Sequence, residues 1–145
     1  MEKYYSINDM AKFTGLTTRT LRNYLKMNVL SGEKIDGVWQ FTEEELEAFL
    51  SDPTVKPSIQ AKQNALVYDF MLDRKKTKNE MCTVLDFCVG SKEESVELSK
   101  FFCEEVNKAD KRVQFSFEKA GDNARVVLKG NEEDVMEILR EYYRG

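Results

Sequence analysis

Thr14-Gly15-Leu16-Thr17-Thr18-Arg19-Thr20-Leu21-Arg22-Asn23-Tyr24-Leu25-Lys26 (residues 14–26) decides how the chain is read. Gly15 supplies the turn conformation that stops one helix. Thr17 or Thr18 is a good cap for the next. That second helix runs to about Met27 with Leu21, Tyr24 and Leu25 on its apolar side. Asn28 ends it, because asparagine tolerates left-handed geometry better than most residues. Upstream, Ser6 caps a first helix, with Asp9 three residues on and Ile7, Met10 and Ala11 at helical spacing. Two short helices joined by a glycine turn describe a helix-turn-helix. Downstream, Asp36-Gly37 between Ile35 and Val38-Trp39-Gln40-Phe41 is a hairpin signal. Thr42-Glu43-Glu44-Glu45 is a full capping box before Leu46, Phe49 and Leu50. Residues 1–51 are therefore expected to form a small all-α winged helix-turn-helix.

Charge distribution says more than total charge. The 145 residues carry 22 Lys and Arg against 26 Asp and Glu, a net charge of -4 that by itself discourages a nucleic-acid partner. Yet Lys12, Arg19, Arg22 and Lys26 are the only charged residues between Met10 and Gly32. Phosphates feel charges within about 10 Å at 0.1 M salt, so a local basic face is what a DNA contact requires.

Three cysteines (Cys82, Cys88, Cys103) and no histidine leave neither a disulfide framework nor a zinc site, and they read as small buried hydrophobes. The missing histidine also removes the commonest general base. With no nucleophile, nucleotide or dinucleotide motif, no enzyme, cofactor or metal is expected. No run approaches 18 apolar residues, and the start leads straight into helix signals, so the expectation is a cytoplasmic protein with no membrane association.

Tyr5-Ser6-Ile7, Ala11, Thr14-Gly15-Leu16-Thr17, Arg19-Thr20-Leu21-Arg22 with Tyr24, Val29-Leu30 and Phe41-Thr42-Glu43-Glu44-Glu45-Leu46 together resemble the DNA-binding domain of the MerR family. They are also similar to excisionase-type helix-turn-helix domains. The resemblance covers the first third of the chain. Two positions depart from it: Val38-Trp39-Gln40 stands where MerR-like wings carry an arginine, and Asn28 stands where a glycine is usual. Trp39 looks more like an excisionase-type wing.

In such a unit the second helix enters the major groove by its N-terminal end. Thr17, Thr18 and Arg19 approach DNA first, Thr20 is a further candidate contact, and Arg19 is placed to read guanine. Arg22 and Tyr24 match family positions that contact phosphate, and Asn23 is a candidate for adenine. Lys26 and Lys12 add electrostatic affinity, with Lys34 doing so from the wing. Plainer roles stand beside these: Tyr24 as core, Thr17 as a cap only, Trp39 and Gln40 as wing packing more than DNA contact.

Pro53 and Pro57 mark a linker at 52–57, and 58–145 is expected to be an α+β two-layer domain for dimerisation or sensing. A leading helix spans Ser58 to about Lys78, with Gln63 interrupting its apolar surface. Strand, helix, strand, strand and helix follow: Cys82–Val89 first, a helix capped by Ser91, alternating strands around Val113–Phe117 and Ala124–Leu128, and a last helix capped by Asn131. This βαββα order resembles a ferredoxin-like fold lacking its final strand, and carries no function. It leaves Cys82–Val89 as an apolar sheet edge, so the expectation is that a twin in a homodimer, or the leading helix, covers it.

The expected function is a MerR-like, sequence-specific, DNA-binding transcriptional regulator. Its partners would be double-stranded DNA, a second copy of itself, and a possible small-molecule or protein effector. The alternatives are an excisionase-like architectural factor acting on direct repeats, and an adaptor that no longer binds DNA.

Overall fold

A computed structural model describes residues 4–108 and 112–144. Residues 1–3 and 145, the outer ends of the two expected domains, lie outside the described residues. The elements in chain order are α1 (Ile7–Thr14), α2 (Thr18–Lys26), β1 (Glu33–Ile35), β2 (Val38–Gln40), α3 (Glu43–Leu50) and α4 (Lys56–Leu72). Then come β3 (Glu80–Cys88), α5 (Lys92–Asn107), β4 (Val113–Ala120), β5 (Asn123–Asn131) and α6 (Glu132–Arg144).

The first third is not all-α, and that expectation is corrected. After two short helices the chain pairs β1 with β2 in an antiparallel hairpin. Asp36 and Gly37 both take positive φ, 51° and 79°, the geometry of a two-residue turn that aligns its flanking strands. Tyr5 and Phe41 add a bridge that ties the chain start to the hairpin's end. The short helices are held by local caps. Ser6 and Asp9 satisfy each other's backbone at α1, and Thr42 and Glu45 do the same at α3.

The expected two-layer remainder is corrected too. β3, β5 and β4 form a three-stranded antiparallel sheet in that spatial order, with helices on both faces. Register places Leu85 and Phe87 of β3, Val126 of β5, and Phe115 and Phe117 of β4 on one face. Phe87 meets Phe102 of α5 and Tyr142 of α6 there, at ring distances of 6.0 and 5.2 Å. α4 covers the opposite face, where buried Gln63 donates to Ser116 Oγ and Gln60 to Glu118 Oε1. The described residues make an α/β mixture of six helices and two antiparallel sheets.

α4 differs from its expected Ser58–Lys78 span at both ends. Pro57 lies inside its first turn, where the missing N–H would have had no partner. At the other end Asp73 is extended, and Lys76 folds back so that its ammonium donates to the Phe70 carbonyl. Among the described residues no helix is long and apolar enough to cross a membrane.

α1 occupies the outer edge of β4. It packs on that strand and reaches the layers on either side. Gly15, left-handed at φ 76°, lies against Lys62 of α4, and Lys12 bonds Asn107 of α5. Buried apolar residues of the first third and of the sheet's α5 and α6 face belong to one contiguous cluster, from Tyr5 to Ile138.

Candidate nucleic-acid interface

α2 is built so that one side is core and the other is free. Leu21 is fully buried, and Tyr24 and Leu25 pack partly against the core. At 100° per residue, Arg19, Arg22, Asn23 and Lys26 fall within about 100° of arc on the far side. All four are exposed. The helix contains no acid, and among the described residues none of its three cations has an ion-pair partner.

The threonines at its start are committed locally. Thr17 caps the helix, its Oγ1 accepting from the Thr20 amide at 3.1 Å and donating to Thr20 Oγ1 at 3.0 Å. Thr18 is half-buried. Asn28, at φ 61°, closes the far end and turns Val29 N–H back onto the Tyr24 carbonyl at 2.9 Å. That closure drops Leu30 into the core.

Tyr24 points inward. Its ring meets Phe49 edge-on at 5.7 Å, and its hydroxyl lies 3.2 Å from Ser58 Oγ on α4. Lys12 sits at the end of α1, with its ammonium held by Asn107. On the hairpin, Lys34 lies 5.7 Å from the Trp39 ring centre, and Trp39 stacks on Phe41 with planes 16° apart. Gln40 is half-buried, its backbone paired with Glu33. The hairpin also exposes Glu33 and Asp36, so it adds little net positive charge to the face.

The residues grouped by sequence therefore divide. Arg19, Arg22, Asn23 and Lys26 form a single free patch. Thr17 and Thr20 support its start, while Tyr24, Trp39 and Lys12 are engaged in packing or hydrogen bonds. Ser58 and Asn107 were missed. Asn107 meets a lysine 95 positions away in sequence, and no local signal marks such a pair.

Compared with known families, curated proteins and solved structures, the chain matches none.

Beside α1 lies a half-open cavity of about 650 Å³. Its lining includes Lys12 and Lys62 but also Asp69, over a floor of Leu66, Val106 and Phe115. Cys103 borders it, and burial pushes that thiol up to about 12, so it is not a ready nucleophile. Burial likewise raises Cys82. Tyr5 is raised well above the ordinary phenol range, first by burial and then by the charge of Glu43. Of the three cysteines expected to be buried only Cys103 is, Cys82 being half-buried and Cys88 exposed, and none of them lies at the α2 patch. Among the described residues no group of three or more His, Cys, Asp or Glu is placed to hold a metal ion.

Proposed function

We propose that the chain is a sequence-specific DNA-binding transcriptional regulator that offers α2 to the major groove and acts by binding rather than by catalysis. The carrying observation is the α2 patch. Arg19, Arg22 and Lys26 stand exposed on one side of a helix without acids, on a chain that is acidic overall. Core packing has no use for two guanidinium groups placed there. A solvated surface helix in an acidic protein would ordinarily mix signs or pair them. The resemblance of residues 5–46 to MerR-like and excisionase-type domains supports the same reading.

Roles follow from geometry. Arg19, in the first turn of α2, is the guanine reader, and a bidentate contact of that kind discriminates by about 1–3 kcal/mol. Arg22 and Lys26 neutralise phosphate and set register. Asn23, between Arg19 and Lys26 on the patch, is the second base-reading group. Tyr24 acts indirectly, by fixing α2 to Phe49 and Ser58. With DNA as its partner the protein works in the cytoplasm, and the sheet with its helices serves dimerisation or effector sensing.

The test is selection from random DNA by the purified protein, then a salt series on the enriched site. Each phosphate neutralised contributes a slope of about -0.9 in log K against log salt. Arg22→Ala should flatten the slope by about one unit and weaken every sequence alike. An unchanged slope refutes the role of Arg22. No binding to any DNA at low salt refutes the reading as a whole.

A further inference from the structure

The two edges of the three-stranded sheet are treated differently. β4 is flanked by α1, which touches the helices of both faces. β3 is paired only on its β5 side, and among the described residues no strand pairs its other edge. This edge is long and regular. Its register with β5 runs unbroken from Glu80 to Cys88, with no bulge. It contains no proline and no lysine, the residues proteins commonly use to blunt an open edge.

The face beside this edge also exposes large apolar side chains, next to the Asp86–Arg125 pair. α4 buries Ile59 and Gln63, half-buries Leu66, Val67 and Phe70, and turns Tyr68, Met71 and Leu72 to solvent, each more than 60% exposed. Because α4 lies over β4 and β5, Val84 of β3 is left 47% exposed. A groove of about 600 Å³ separates helix from strand, with Ala65, Tyr68, Met71 and Val84 in its walls and Asn64 and Arg125 beside them. Three large apolar side chains exposed together beside an open strand edge mark a surface that is missing a partner.

We propose that a second copy of this chain fills the position. β3 pairs antiparallel with the partner's β3 about a two-fold axis at Val84, giving a continuous six-stranded sheet. In that register Val84 faces the partner's Val84, Thr83 faces the partner's Leu85, and Met81 faces the partner's Phe87. The apolar face against α5 and α6 thus runs unbroken across the junction. Glu80 falls opposite the partner's Cys88 and Asp86 opposite the partner's Cys82, so no acid meets an acid. Sliding the strands by one pair toward the N-terminus would set Glu80 against the partner's Asp86, and like charges directly opposite are destabilising. A slide by one pair the other way, to an axis at Leu85, keeps the acids apart but leaves Glu80 and Met81 without a partner in the nine-residue strand, and a slide by two pairs would set Asp86 against its own copy. A one-residue slip would swap the faces of the strand. The α4 stripes of the two copies then flank the axis and cover the paired Val84 side chains. This dimer does not depend on whether α2 binds DNA.

Two measurements test it on the full chain. Sedimentation equilibrium should show a dimer, and Val84→Arg, which brings two guanidinium groups together on the axis, should raise the dissociation constant at least 100-fold. Far-UV circular dichroism of that variant should match the parent. Independently, a spin label on exposed Cys88, in a chain carrying Cys82→Ser, reports the register. Cys88 and the partner's Cys88 would lie eight strand residues apart, about 27 Å at 3.4 Å per residue. A monomer at tens of micromolar overturns the proposal. So does a dimer untouched by Val84→Arg, or a label separation far from that value.

Discussion

Lys119→Met tests how the first third of the chain is fastened to the sheet. The Lys119 ammonium at the end of β4 donates to Glu47 Oε1 of α3 at 2.6 Å, with side chains 15% and 8% exposed. Glu47 Oε2 is buried and has no hydrogen-bond partner among the described residues. The carboxylate therefore depends on a single cation. Removing one member of a buried pair leaves an uncompensated charge and costs about 3–5 kcal/mol, whereas replacing both by apolar groups is often neutral or stabilising. The residual exposure of Lys119 argues for the lower end, about 3 kcal/mol. At about 2–4 °C per kcal/mol for a chain near this size, melting should fall by about 6–12 °C. Urea denaturation followed by far-UV circular dichroism gives the free energy directly. Glu47→Leu combined with Lys119→Met should recover to within about 1 kcal/mol of the parent. A loss under about 0.5 kcal/mol in the single variant, or a double variant as unstable as the single, would show that Glu47 is better solvated than its burial implies.

Two further outcomes follow from ionisable groups. Cys88 is exposed and Cys103 buried, its thiol raised to about 12, so at pH 8 a thiol reagent should modify Cys88 at once and Cys103 only when the chain unfolds. Labelling read by mass spectrometry checks this, and prompt modification of Cys103 in the native state would contradict its packing. The Arg125 guanidinium holds the Asp86 carboxyl below the usual carboxylate range through a two-point contact at 2.7 and 2.9 Å. A depressed folded pKa stabilises above the unfolded value near 4, and the gain is lost as pH falls through the folded one. Both side chains are about half exposed, so screening keeps the effect to at most about 0.5 kcal/mol. Asp86→Asn should therefore differ slightly from the parent at pH 7 and not at pH 2–3, and a deficit that grows on acidification would reverse the assigned sign.

Much of the local structure was legible because its causes are local. Ser6 with Asp9, Thr42 with Glu45, and Asp36-Gly37 act within three or four residues, and each does in the fold what its chemistry suggests. Labelling the first third all-α overlooked the consequence of that same Asp-Gly turn, which builds strands on both sides. Gln63 was a break in a helical stripe until Ser116 appeared beside it, 53 residues away. The apolar surface of α4 is likewise divided by the fold. Tyr68, Met71 and Leu72 are apolar and helically spaced, yet they face solvent, while Ile59 and Gln63 are the residues α4 buries. Periodicity reports that a helix has an apolar side, and only tertiary contacts decide what that side meets. On α1 and α2 the exposed cations were legible and the engaged ones were not. Arg19 and Lys12 look alike in sequence, and only Asn107 distinguishes them.

The two proposals constrain each other through α1. This helix joins α2 to the edge of β4, so α2 is held relative to the sheet by Gly15 against Lys62, by Lys12 with Asn107, and by Tyr24 with Ser58. A dimer built on the opposite edge, β3, is isologous, and a two-fold axis relates every element of one copy to its twin. The two α2 patches would then run in opposite senses along a bound duplex. Selected sites should consequently be inverted repeats whose half-sites are separated by one helical turn or a multiple of it. Val84→Arg should leave recognition of a single half-site intact while weakening the full site, because it removes the linkage and not the contact. Direct repeats among the selected sites would require a head-to-tail contact, which a β3 pairing cannot provide. That result would remove the dimer proposed here even if α2 proved to be the reading helix.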